Sequence, residues 1–296
     1  MSAFFLSPPI LLCLLAAFMY ATGALVVKRA AEFGVGVWRT AFVANVICAL
    51  VFQPLLVFGG NLLAGFWWQP LITGACFVTG QWLTFIALER GDVSVATPVL
   101  GLKIIFVALL VTFLVGEALR WQLWVAALLA TGGIGLLNWG GGGRPHHDVG
   151  RTIVAAGLAA AVYAVFDVLV QTWAPRWGLG RFLPLTMGCA GLLSFAFIPR
   201  FRAPLGAIPR AGWPWLIGGS LLLGIQSVIF VSTLASWGRA AANNVVYSSR
   251  GLWTIVLVWL VGHWVDSREQ AHGSRILAWR LMGATLMLSA IGLVAF

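Results

Sequence analysis

The chain is built from about ten apolar stretches, each close to the 20-residue length that a helix needs to cross a hydrocarbon core of roughly 30 Å. Of its 296 residues, 61% are apolar and 9% charged, whereas soluble domains carry roughly 45–50% and roughly 25%. A water-soluble globule is excluded. Ten spans use about 200 residues, and the rest, shared over nine connections and two tails, gives roughly 9 apiece. That leaves no room for a soluble catalytic domain.

The expected helices, bounded by charges, Pro/Gly clusters and interfacial Trp or Tyr, lie near 9–28, 36–58, 66–88, 94–115, 121–139, 152–173, 181–199, 213–235, 240–262 and 276–296. The opening MSAFFLSPPI lacks a basic n-region and leads into an apolar run reaching Val27, so it reads as the first helix rather than a cleaved signal. Cys13, Cys48, Cys76 and Cys189 all fall inside apolar runs and read as small hydrophobes without disulfides.

The central polar break GGGGRPHHDVGR, residues 140–151, separates a five-helix unit at 1–139 from a second at 152–296. Sliding the halves by about 147 residues puts Gly91 on Gly238, Lys103 on Arg250, Phe106 on Trp253 and Leu110-Val111 on Leu257-Val258. With small slips, Tyr20-Ala21 meets Tyr163-Ala164. An odd number of spans per half makes the second unit enter the membrane from the opposite face. The expected fold is therefore an all-α integral membrane protein of ten transmembrane helices, two inverted five-helix repeats around a central cavity, a recurring transporter design.

Lys103 is the first candidate for chemistry. It lies twelve residues past Gly91, about 18 Å along a helix and so halfway across the core. Arg250 stands at the matching place. A cation at the bilayer centre costs at least roughly 2.5–3.5 kcal/mol, and such residues usually face protein or a watery cavity. Both are expected to receive an anionic group such as a substrate carboxylate; the alternative is that backbone carbonyls or Asp167 hold them as helix locks. Asp167, one turn after Tyr163 and on its face, could balance a cation, meet a substrate ammonium, carry a proton, or sit in headgroup water.

Gln81, Trp82, Gln226, Asn243, Asn244, Tyr247, Ser248 and Ser249 are unusually polar for lipid contact and are expected to face inward, with interhelical hydrogen bonding as the plainer reading. Tyr20, Trp38, Tyr163 and Trp253 complete an aromatic lining suited to a planar or bulky apolar substrate, against ordinary core packing. Trp67, Trp68, Trp121, Trp139, Trp177, Trp213 and Trp215 read as interface anchors. Gly132, Gly133, Gly135, Gly218, Gly219 and Gly224 read as close-approach residues.

No metal or cofactor is expected: His146, His147 and Asp148 lack partner ligands at zinc spacing, and no nucleophile or phosphate-loop sequence is present. Asp92, Glu117 and Asp266 read as loop residues without a partner. The formal charge of +10 reads as lipid-facing loops rather than nucleic-acid binding. Twelve Lys/Arg fall on one side of the expected topology, against Arg120, Arg176, Arg181 and Arg239 on the other. The positive-inside rule then puts both termini outside.

The passage GQWLTFIALERGDVSVATP from Gly80, the stretch LLVTFLVGEAL and the fifth-helix ending GGIGLL resemble the EamA-type branch of the drug/metabolite transporter superfamily, over almost the whole chain. The second half departs from it, with His263 and Trp264 where the first has Gly116 and Glu117. The aromatic lining is similar to that of the YddG-type aromatic amino-acid exporters. The resemblance implies a ten-helix transporter of a bacterial-type inner membrane that exports amino acids or related metabolites by alternating access. It also implies cytoplasmic termini, against the charge count. The residues and the resemblance together lead to the expectation of a non-enzymatic secondary transporter of small amphipathic metabolites, with Lys103 and Arg250 on the carboxylate and membrane lipids as its surroundings. Facilitated and proton-linked movement both stay open. A lipid-modifying membrane enzyme would need convergent acid/base groups or ligands, and a channel would need repeated polar rings.

Overall fold

The computed structural model describes residues 7–90, 93–137, 149–261 and 274–295, and among these there is helix and turn but no strand. The helices are α1 (Pro8–Ala31), α2 (Val37–Phe52), α3 (Trp68–Arg90), α4 (Val93–Leu100), α5 (Lys103–Leu110), α6 (Trp121–Leu137), α7 (Val149–Trp177), α8 (Leu179–Leu193), α9 (Trp213–Trp237), α10 (Ala240–Tyr247), α11 (Arg250–Val261) and α12 (Ser274–Ala295). Eight helical stretches among the described residues are long and apolar enough to cross a membrane. Shorter are α6, at 17 residues, and the α10–α11 pair, at 8 and 12. Exposed Leu50, Phe113, Leu128, Leu158 and Leu192 stud the outer surface, which fits lipid as the surrounding solvent. This is a multi-pass membrane protein.

Among the described residues helix lies within each stretch where it was expected, and the departures from the expected bounds have local causes. Two expected single helices are interrupted. Pro98 lacks an N–H, which weakens the ladder of α4, and the chain tightens at Gly101-Leu102, where the Leu102 N–H donates to the Val99 carbonyl at 3.0 Å. The second interruption falls at Ser248-Ser249. There the Ser248 N–H is shared between the Asn244 and Val245 carbonyls, and the Ser248 hydroxyl also donates to Val245, at 2.6 Å. Serine bonded back to its own helix in this way bends it.

At its other end α7 outruns the expected stop at 173. The Trp177 indole N–H donates to Gln69 Oε1 at 2.9 Å, which ties the last turn of α7 to α3. Trp177 is fully buried, so the expectation that it sits at a membrane interface is corrected; Trp67, Trp68, Trp121 and Trp215 are exposed as an anchor requires. Trp139, the histidine pair, Asp92 and Asp266 lie outside the described residues.

Helix pairs meet through small residues, because lipid offers no hydrophobic drive for apolar helices to associate and close van der Waals approach has to supply it. The α6–α12 crossing is reciprocal. A Cβ on Gly133 would lie 2.9 Å from the Gly283 carbonyl oxygen, and one on Gly283 would lie 2.8 Å from the Gly133 carbonyl oxygen. Likewise Gly219 of α9 abuts the Val27 backbone of α1, and Gly74 of α3 abuts the Thr186 carbonyl of α8. Gly132, Gly135 and Gly218 have open space where a Cβ would go, so their expected role in close approach is corrected.

Gly133→Leu and Gly283→Leu should each lower the melting temperature of the purified protein, since overpacking costs about 1–3 kcal/mol or more against rigid backbone. Gly132→Leu, one residue away and facing open space, should not. Equal melting temperatures for all three would show that the crossing is loose.

Candidate functional site

The two interruptions place Lys103 and Arg250 at the starts of α5 and α11. Side chains in a helix lean toward its N-terminus, so both cations reach back past the interruption instead of running along the outer face. Both arrive in one cluster, supplied by α1, α5, α7, α9, α10 and α11.

Lys103 Nζ lies 2.7 Å from Asp167 Oδ2. The same oxygen accepts a 2.7 Å hydrogen bond from Asn244 Nδ2. Asp167 is 1% exposed, so headgroup water does not reach it, and the helix-end placement weighed from the sequence is corrected. Its other oxygen, Oδ1, is buried without a hydrogen-bond partner. The Lys103 ammonium also lies 5.8 Å from the ring centres of Tyr163 and Phe230. The Tyr163 ring sits against Gly80 of α3, where a Cβ would come within 2.9 Å of it.

Arg250 takes a different solution. Its guanidinium lies 4.7 Å from the Tyr20 ring centre and 4.9 Å from that of Tyr247, and no carboxylate among the described residues is within ion-pair distance. Cation–π contact of this kind is worth about 2 kcal/mol when desolvated. Tyr247 stacks on Phe230 with ring centres 4.2 Å apart, and its hydroxyl donates to Gln226 Oε1 at 2.9 Å. The two cations therefore flank one stacked aromatic pair. Ser248 is buried at the bend, and Trp253, one turn past Arg250, is half-buried with its ring 5.3 Å from Phe18.

Three expected residues stand elsewhere. Asn45 Nδ2 donates to Gln81 Oε1 at 2.7 Å. Trp38 packs edge-on against Phe85 and Phe197, and both Trp38 and Trp82 face Arg200. That is a second aromatic group, separate from the Lys103–Arg250 cluster. Sequence reasoning overlooked Phe230, although it lies one helical turn after Gln226 on the same face. It also overlooked Gln171, whose Oε1 accepts from the Ala240 N–H at 2.8 Å and so caps α10, while its Nε2 donates to Glu117 at 3.2 Å. Glu117 accordingly has a partner, contrary to the sequence reading. Among the described residues no His/Cys/Asp/Glu group could hold a metal ion.

Residues 7–139 match the EamA-like transporter family. A stretch of 74 residues is 36% identical to the probable 4-amino-4-deoxy-L-arabinose-phosphoundecaprenol flippase subunit ArnE of Pseudomonas fluorescens (strain Pf0-1), covering 24% of this chain and 65% of that one. The chain therefore spans less than two thirds of that relative's length. A crystal structure of a protein superposes with a TM-score of 0.73 at 17% identity, over 96% of this chain and 95% of the other. At that identity the likeness is one of fold alone.

The Lys103–Asp167 pair generates a stability prediction. Removing one member leaves an uncompensated buried charge, which costs about 3–5 kcal/mol, whereas replacing both is often neutral. Lys103→Met and Asp167→Leu should each destabilise the purified protein strongly, and the double variant should regain most of the loss. Additive losses in that cycle, read as melting temperatures, would mean the two charges do not depend on each other.

Proposed function

We propose that the chain is an EamA-type secondary transporter of ten spans, two inverted five-helix repeats, that moves a small amphipathic metabolite carrying one anionic group through the Lys103–Arg250 cluster by alternating access. The observation that carries the reading is Arg250: a half-buried cation at a helix bend, walled by Tyr20 and Tyr247 and lacking a carboxylate among the described residues. Lys103 is neutralised by Asp167, so the cluster keeps one positive charge for a guest.

Helix adjacency supports the repeats. In the first half α3 packs on α7 and α8, and in the second α9 packs on α1 and α2; α5 meets α7 as α11 meets α1; the α6–α12 and α2–α8 pairs map onto themselves. The interruptions at 101–102 and 248–249 correspond under the same shift that aligns Lys103 with Arg250.

Within this reading the anion sits on Arg250, an amine on the cargo meets the unpartnered Asp167 Oδ1, and the Tyr20, Tyr163, Phe230 and Tyr247 rings hold its apolar part. An amino acid with an aromatic or apolar side chain has this layout. The match to an ArnE flippase subunit favours a second reading, since an amino-sugar phosphate on a polyprenol also joins an anion to an amine.

In proteoliposomes, Arg250→Gln should lower the transport rate at least tenfold, while Lys103→Met/Asp167→Leu should fold and transport with altered cargo preference. A panel of amino acids and an amino-sugar phospholipid decides between the two cargoes. Undiminished transport of every cargo by Arg250→Gln would overturn the proposed site.

A further inference from the structure

The second aromatic group forms one wall of a groove of about 300 Å³ between α3 and the end of the α8 span, lined by Trp82, Leu193, Ala196, Phe197 and Arg200. The geometry points to a binding site for the headgroup phosphate and upper acyl chain of an anionic phospholipid, with Arg200 as the phosphate ligand. It is separate from the proposed transport site.

The depth is right. Arg200 is the last residue of the Leu179–Arg200 span, so its exposed guanidinium lies where hydrocarbon gives way to headgroups. The neighbouring chain ends lie on the same face: Arg39, near the start of α2, donates to the Pro204 carbonyl in the connection that follows Arg200, and Lys28 and Arg29 sit in the last turn of α1. Arg39 is buried on backbone carbonyls and Arg29 pairs with Glu32, so exposed Lys28 and Arg200 supply the positive charge that attracts anionic lipid at headgroup level.

The guanidinium is positioned rather than free. It lies 5.5 Å from the Trp38 ring centre and 5.8 Å from that of Trp82. Trp38 is itself locked between Phe85 and Phe197, which makes the platform rigid. Contact with ring faces leaves the planar fork of N–H donors available for a bidentate phosphate, and no carboxylate among the described residues is within ion-pair distance to compete.

The rest of the groove is apolar, and it opens sideways: Trp82 is 41% and Leu193 36% exposed, beside Leu192 at 72%. A soluble anion would gain from Arg200 alone. A phospholipid gains from both ends of the groove, since its acyl chain also packs along the apolar lining. The charge at one end and the apolar lining along the other match a lipid's own polarity.

Native mass spectrometry of the full chain, delipidated and then offered equal amounts of phosphatidylglycerol and phosphatidylcholine, tests this. The wild-type protein should retain phosphatidylglycerol several-fold over phosphatidylcholine. Arg200→Gln should abolish the preference, Arg200→Lys should keep part of it, and Ala196→Phe, which fills the groove and leaves the guanidinium, should lower retention of both lipids. An unchanged preference in Arg200→Gln overturns the site, and so does unchanged retention in Ala196→Phe. Displacement of the lipid by excess glycerol phosphate would overturn the assignment to a lipid in favour of a soluble anion.

Discussion

Placing two cations where apolar helices bend, among aromatic rings inside the bundle, is the constraint on which the rest of this structure depends. Neither can stay charged there without a partner, and the protein meets the requirement in two unlike ways. Lys103 receives a carboxylate and Arg250 receives ring faces. The chemistry of the two cations fits the assignment. A lysine ammonium is a compact, strongly hydrated charge that needs strong acceptors, whereas a guanidinium is planar, weakly hydrated and stacks on aromatic rings. Exchanging the two side chains would leave each with the wrong kind of neighbour.

Bringing those neighbours together requires close helix approach, and this is where the glycines enter. Tyr163 can stand beside Lys103 because α3 presents Gly80 to its ring, and α1, which carries Tyr20, is drawn against α9 by Gly219 and Gly23. The aromatic centre and the small-residue crossings are two parts of one arrangement: large side chains converge inside because the backbones behind them touch. The bends contribute as well, since an uninterrupted helix would turn its side chains along the lipid-facing surface instead of back across the core.

Much of this was legible in the chain. Span length and the absence of charge marked helix positions to within a few residues. The shared face of Tyr163 and Asp167 followed from helical spacing. Pairings between distant spans were not legible, because a sequence without an alignment does not say which helix faces which. Trp38, Gln81 and Trp82 had the composition of the central lining, and their neighbours turned out to be Arg200 and Asn45. Trp177 had the position of an anchor, and a glutamine 108 residues away took its indole N–H. In both cases a tertiary partner decided which environment the side chain occupied.

The division of labour between the two cations bears on how a transport site can let go. Two bare positive charges would hold an anion strongly: at 4 Å each attraction is worth about 4 kcal/mol at an effective dielectric constant of 20, and a site that binds so well releases slowly. Passage requires a site attractive enough to enter and weak enough to leave. With Lys103 committed to Asp167, an arriving anion meets one uncommitted cation, and any approach to the second must compete with a buried carboxylate that Asn244 also holds. On the proposed reading, the ion pair therefore sets the upper limit on affinity. Of the cluster's two positive charges, one is neutralised by a single acidic residue on α7.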